Sequence, residues 1–296
     1  MGSSSRGNRP RMACEISVDR IVAGRAAERG DTLDVYTSRE LPEGSLAPDL
    51  TEANVLRREV LRDSIADALQ SIGERSRDVI AVLPDSSARV VLLDFETLPA
   101  KPQEAEAVVR FRLKKSLPFD VEHAKVSYQA HVSGKGVRVI AAVALTSVIQ
   151  EYESAFREAG YNPGVMLPSM LAALGAVDAD KPTMVVKVDA FTTSIALMDG
   201  SQLLLFRTLE NSRGLNLTGE QLAEEVYPSV VFFQDTYHMN IERILVAGLP
   251  DSESFNVLQN QTGIAVEELV SARRVANVNG NLPRWRLAGV LGALAS

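Results

Sequence analysis

The chain has 296 residues, enough for two domains of ordinary size. With 46% hydrophobic and 23% charged residues it has the balance of a water-soluble globular protein, and a formal net charge of -7 argues against a nucleic-acid partner. One cysteine, Cys14, excludes an internal disulfide and suits a reducing compartment.

Residues 1–11 read as a disordered tail, since Gly, Ser, Arg and Asn there show no apolar period. No secretory signal is visible, and no run reaches the ~20 apolar residues that a membrane helix needs. Three short alternating segments follow, at 13–17, 20–25 and 32–36, and predict an antiparallel meander with a turn at 28–31. Leu56, Val60, Leu61, Ile65, Ala68, Leu69 and Ile72 then share one helical face, and 78–84 reads as a strand. Residues 89–164 read as an inserted α+β module of strand, helix, two strands and helix. Val90 begins its weakly alternating first strand. Pro102 starts a helix where its missing N–H costs nothing, with Glu104 and Glu106 near the positive end and Lys114 and Lys115 near the negative end. Two strands, 126–132 and 137–144, join at Ser133-Gly-Lys-Gly136, and Thr146 is placed to cap a helix that Gly160 stops.

The order then repeats. Segments 184–189, 194–198 and 202–207 form a second meander, with Asp199-Gly200 as a hairpin signal. Thr218 and Gln221 have capping-box spacing ahead of a helix with Leu222, Val226, Val230 and Phe233 inward and Pro228 as a kink. Residues 243–250 read as a strand. With Glu15 laid on Asp189, Ile21 falls on Ile195 without a gap. The expected division is 12–182 for the first half, 183–282 for the second, and a final helix over 283–296. That helix presents Trp285, Leu287, Val290, Leu291 and Leu294 for docking on the first half, or leads into a membrane segment.

A meander, helix and strand repeated in order, with an insertion in the first half, resemble the actin-like ATPase fold: a duplicated, ribonuclease H-like α/β fold of two domains. The stretch Lys115-Ser-Leu-Pro-Phe-Asp-Val-Glu-His-Ala-Lys-Val-Ser-Tyr-Gln129 resembles a signature of the PilM family of type IV pilus assembly proteins. So do Glu40-Leu-Pro-Glu-Gly-Ser45, Val143-Ala-Leu-Thr146 and Ala159-Gly-Tyr-Asn-Pro163. The cytoplasmic part of GspL and the divisome protein FtsA are similar in kind. The resemblance implies a protein at the cytoplasmic face of the inner membrane, without a membrane span of its own. It would hold the N-terminal cytoplasmic peptide of a PilN-like protein in a groove near the module and link it to motor or platform proteins. Leu117, Pro118 and Phe119 are the groove candidates, with a place in the module's core as the other reading of Phe119.

The resemblance also implies ATP and Mg²⁺ between two phosphate-binding hairpins, where glycines let backbone N–H groups approach oxygens. The family's first Asp-x-Gly loop, with a basic residue seven positions after the Asp, is matched here by Glu15, Ser17 and Val22. At the second, Asp189, Thr192 and Thr193 remain, but Phe191 stands at the glycine. The adenosine loop reads Ala247-Gly248-Leu249-Pro250. Glu15, Asp189, Thr192, Thr193 and Gly248 are thus either a residual Mg-nucleotide site or an inherited fold. The losses predict a degenerate site with no cofactor needed, its phosphate position filled by the Phe191 ring, and a scaffold rather than an enzyme. An active PilM-type ATPase and a GspL-like component of a type II secretion platform are the alternatives. His123, His131 and His238 lack metal-ligand spacing. Arg110, Arg112, Lys114 and Lys115 read as a solvated helix face or a surface for acidic lipid.

Overall fold

The computed structural model describes residues 9–28, 32–134, 136–211, 214–248, 252–276 and 282–295. Residues 1–8 of the expected tail, 29–31 of the first turn, Lys135, Leu249 and Pro250 lie outside the described residues.

The first half begins with β1 (Met12–Ile16), β2 (Arg20–Ala26) and β3 (Leu33–Glu40), paired antiparallel. Every residue of β1 is buried, because both faces of this central strand are covered. Helix α1 (Arg58–Ser71) buries Leu61, Ile65, Ala68 and Leu69, and β4 (Asp78–Leu83) returns parallel to β1 with Val82 beside Glu15. The inserted module follows: β5 (Arg89–Phe95), α2 (Pro102–Leu113), β6 (Ala124–Ser133) and β7 (Gly136–Leu145), with sheet order β5-β7-β6.

The module ends earlier than its sequence boundary of 164. Helix α3 (Thr146–Glu158) packs on α1 and buries Val148, Tyr152 and Phe156 in the core of the first half. Thr146 is its first helical residue and not its cap, because β7 runs directly into the helix and Leu145 takes the cap position. Strand β8 (Asn162–Pro168) then joins the main sheet beside β4, giving the order β3-β2-β1-β4-β8. It is not among the elements read from the sequence and carries Pro163 and Pro168. They are tolerated because β8 is an edge strand, and Gly164 sits at a register shift.

Helix α4 (Ser169–Leu174) leads to the second half. Here β9 (Thr183–Val188), β10 (Thr192–Asp199) and β11 (Gln202–Glu210) repeat the meander. Helix α5 (Gly219–Tyr237) opens on a complete capping box: the Thr218 N–H donates to Gln221 Oε1 at 3.1 Å, and the Gln221 N–H donates to Thr218 Oγ1 at 3.3 Å. Strand β12 (Arg243–Ala247), helix α6 (Ser252–Thr262) and strand β13 (Ala265–Glu268) complete a sheet ordered β11-β10-β9-β12-β13, the same arrangement as the first. Neither α6 nor β13 is among the elements read from the sequence.

Each sheet turns one face to its own helices. The other two faces share a central core with α4 and α7 (Ala288–Ala295), which holds Ala13, Val22, Val82, Val185, Ala196 and Leu245. Helix α7 reaches β1, β2, β4 and α4, and its residues from Ala288 to Leu294 are buried. Among the described residues no helix is long and apolar enough to cross a membrane.

Candidate functional site

The two hairpins face each other across the halves. In the first, Ser17 and Arg20 close a two-residue turn, with Ser17 N–H donating to the Arg20 carbonyl at 2.9 Å. In the second, Asp189 N–H donates to the Thr192 carbonyl at 2.8 Å around the same size of turn. Matching the hairpins by these closing pairs puts Asp189 where Ser17 stands. Glu15, opposite Val22, then corresponds to Lys187, opposite Ser194. The gapless superposition of Glu15 on Asp189 is therefore two residues out, because turn geometry and not residue type fixes the register.

Lys187 is the residue that sequence reasoning missed. It is buried at 7% exposure, with Nζ 3.4 Å from Glu15 Oε1 and 3.8 Å from Asp189 Oδ2. Burial alone would drive the ammonium toward its neutral form, but Glu15, Asp189 and Asp85 outweigh it and hold the proton more tightly than usual. A lysine inside the apolar run of β9 was the available signal, since a buried cation needs partners.

Glu15 joins four segments. It accepts a hydrogen bond from Ser169 Oγ at the start of α4, pairs with Lys187 of β9, and lies against Gly289 of α7. A Cβ on Gly289 would fall 2.5 Å from a Glu15 carboxylate oxygen, so only glycine permits this approach. Nearby, Asp85 Oδ1 accepts from the Met170 N–H at 2.8 Å, and Oδ2 accepts from Ser194 Oγ at 2.9 Å, again across the halves. Burial pushes the Asp85 carboxyl up to about 6, against the pull of Lys187 and these two donors. Cys14 is also pushed up, by burial first and then by Glu15, which makes it inert.

The remaining candidates separate. Thr192 faces the cleft, whereas Thr193, its neighbour on β10, points to the opposite face beside Val188 and Ile195, as strand alternation requires. Gly248, at φ +115, packs so tightly on Val188 that a Cβ would lie 2.6 Å from its carbonyl oxygen. Val22 is buried in the central core. Phe191, in the turn of the second hairpin, is 51% exposed and lines the small cleft beside Asp189 and Thr192. Asp19, at the tip of the first hairpin, turns to Arg286 at 2.9 Å. Burial raises its carboxyl, but Arg286 and Arg20 together hold it below the usual range.

A wider hollow lies elsewhere. A groove of about 360 Å³ runs between the module and the first half, with Lys125 and Ser127 of β6, Ile149 and Glu153 of α3, and Met166 and Leu167 of β8 in its walls. Both strands are sheet edges. Leu117, Pro118 and Phe119 do not line it. Leu117 and Phe119 fold back on the module's own core and Pro118 is exposed, because the chain turns after α2 into a short turn capped by Asp120. In the basic cluster, Arg110 pairs with Glu106, Lys114 with Glu122, and Arg112 lies over the Phe95 ring.

No family model and no curated protein matches the sequence. Solved structures do. A chain of a PilM–PilN type IV pilus biogenesis complex aligns at TM-score 0.79 and 21% identity, covering 96% of this chain and 98% of that one. A Bacteroides thetaiotaomicron protein with actin-like ATPase fold and unknown function aligns at 0.54 and 13%, covering 94% and 93%. The cytoplasmic domain of EpsL, an inner membrane component of the Vibrio cholerae type II secretion system, aligns at 0.51 and 10%, covering 89% and 98%. This chain has the actin-like ATPase fold.

That fold implies a magnesium nucleotide between the hairpins, and the residues present do not fit one. The hollow bounded by Val18, Pro84, Asp189 and Thr192 holds about 10 Å³, room for about one water, whereas small-molecule pockets need roughly 300 Å³ or more. The adjoining hollow of about 130 Å³ sets Asp49, Asp85 and Glu210 against Arg89, the wrong balance for a triphosphate. Among the described residues no group of three His, Cys, Asp or Glu is placed to hold a metal ion. The carboxylates that would face magnesium are engaged by Lys187.

Proposed function

We propose that this actin-like chain is an adaptor of a type IV pilus assembly platform, working at the cytoplasmic face of the inner membrane without nucleotide hydrolysis. It holds the N-terminal cytoplasmic peptide of a PilN-like protein in the groove between β6 and β8. The observation that carries this reading is the groove itself, part apolar and open along two sheet edges, beside a hairpin cleft of only about 10 Å³. An extended peptide can pair its backbone with an exposed edge and seat alternate side chains among Ile149, Met166 and Leu167. The likeness to the PilM–PilN chain, at 0.79 against 0.51 for EpsL, favours a pilus over a type II secretion system. The nucleotide residues, on this reading, survive as structure.

Calorimetric titration with the synthetic peptide tests the proposal. Binding is expected at micromolar strength or tighter, about -8 kcal/mol. Met166→Glu, which puts a charge into the groove, is expected to weaken it at least tenfold. The absence of heat at about a hundredfold above that range would exclude the proposal.

A further inference from the structure

Lys187 raises a question that packing does not answer. A buried ion pair adds little stability over apolar side chains of similar volume, and β9 could carry an aliphatic residue at this position. What the ammonium does provide is direction. It ties the second half to one oxygen of Glu15, and that same oxygen takes the Ser169 hydroxyl.

Ser169 begins α4, and the residues just before it, Leu167 and Pro168, form a wall of the groove. Met170, next along α4, gives its N–H to Asp85, which is bonded in turn to Ser194 of the second half. The start of α4 is thus held by two carboxylates of the first half, each engaged by a side chain of the second. Leu83 and Ala88, on either side of Asp85, line the groove as well.

We infer that Lys187 is a positioning residue: a built-in cation that fixes the two halves against each other and, through Glu15 and Ser169, sets the groove wall at Leu167 and Pro168. The groove is then formed before any ligand arrives. A shift between the halves breaks the Lys187–Glu15 contact and releases α4. The inference rests on the groove reading only where peptide affinity is concerned, since the link from Lys187 to α4 stands without a peptide.

Two variants of the full chain test it, Lys187→Met and the double variant Glu15→Gln with Lys187→Met. The double variant also removes the Glu15 charge that Lys187→Met leaves unpaired, while Asp189 and Asp85 lose their cation equally in both variants, so the comparison isolates the Glu15 link. Amide hydrogen exchange of the free protein over residues 166–172 is expected to rise at least tenfold in both, while exchange in α1 stays within twofold of wild type. Peptide affinity is expected to fall at least tenfold in both. Wild-type exchange over 166–172 in the double variant would overturn the inference and leave Lys187 as a counter-charge. If the wild-type chain binds no peptide, the groove reading fails, and the exchange measurement still decides the role of Lys187.

Discussion

Asp85 and Lys187 are buried charged groups from opposite halves, each shifted by burial and by the other's charge. Asp85 is buried, and its carboxyl is pushed from 3.8 up to about 6. Between those two values the folded protein keeps a proton that the unfolded chain has released. Stability therefore falls as pH rises through this window and levels off above it. Removing the titrating group removes the slope. Asp85→Asn is expected to gain stability relative to wild type as pH goes from about 4 to about 6.5, by on the order of 2–3 kcal/mol. Urea unfolding of both proteins across that range measures the difference. A difference that stays constant with pH would show that Asp85 does not titrate in this way.

At the scale of elements, the docking of α7 depends on small residues. Gly289 clears the Glu15 carboxylate, and at Gly292 a Cβ would lie 2.1 Å from the Ala172 carbonyl oxygen. Gly289→Ala is expected to cost about 1–3 kcal/mol by overpacking, a fall of several degrees in Tm for a chain of this size. Gly134→Ala is the control. Nothing lies within 4 Å of a Cβ there, and its effect should stay within about 0.5 kcal/mol. Equal Tm values for both variants would remove close packing as the reason for glycine at 289. The elements legible in the sequence were those with strong local signals: the two meanders, the Asp199-Gly200 turn and the Thr218–Gln221 capping box. Strand β8 was illegible because Pro163, Gly164 and Pro168 are turn residues anywhere except at a bulged sheet edge. The end of the module was misplaced for a related reason. A helical period locates α3 but does not say which sheet it covers.

At the scale of the whole molecule, the duplication was visible because the order of elements repeats, whereas the partnership of Lys187 with Glu15 was not. No local pattern connects a lysine on β9 with a carboxylate on β1; only the closure of the two halves brings them to 3.4 Å. The family resemblance implies a peptide groove near the module, and the structure has a hollow of about 360 Å³ there. Its walls come from β6, α3 and β8, the last not among the elements read from the sequence, and not from residues 117–119. Under the proposed function, the partner peptide binds to one side of a hairpin cleft that takes no nucleotide. Titrating the PilN-like peptide with and without saturating MgATP tests that account most directly. The expected result is the same affinity in both, within about twofold, or 0.4 kcal/mol. Binding that requires MgATP, or that tightens more than about tenfold in its presence, would contradict it.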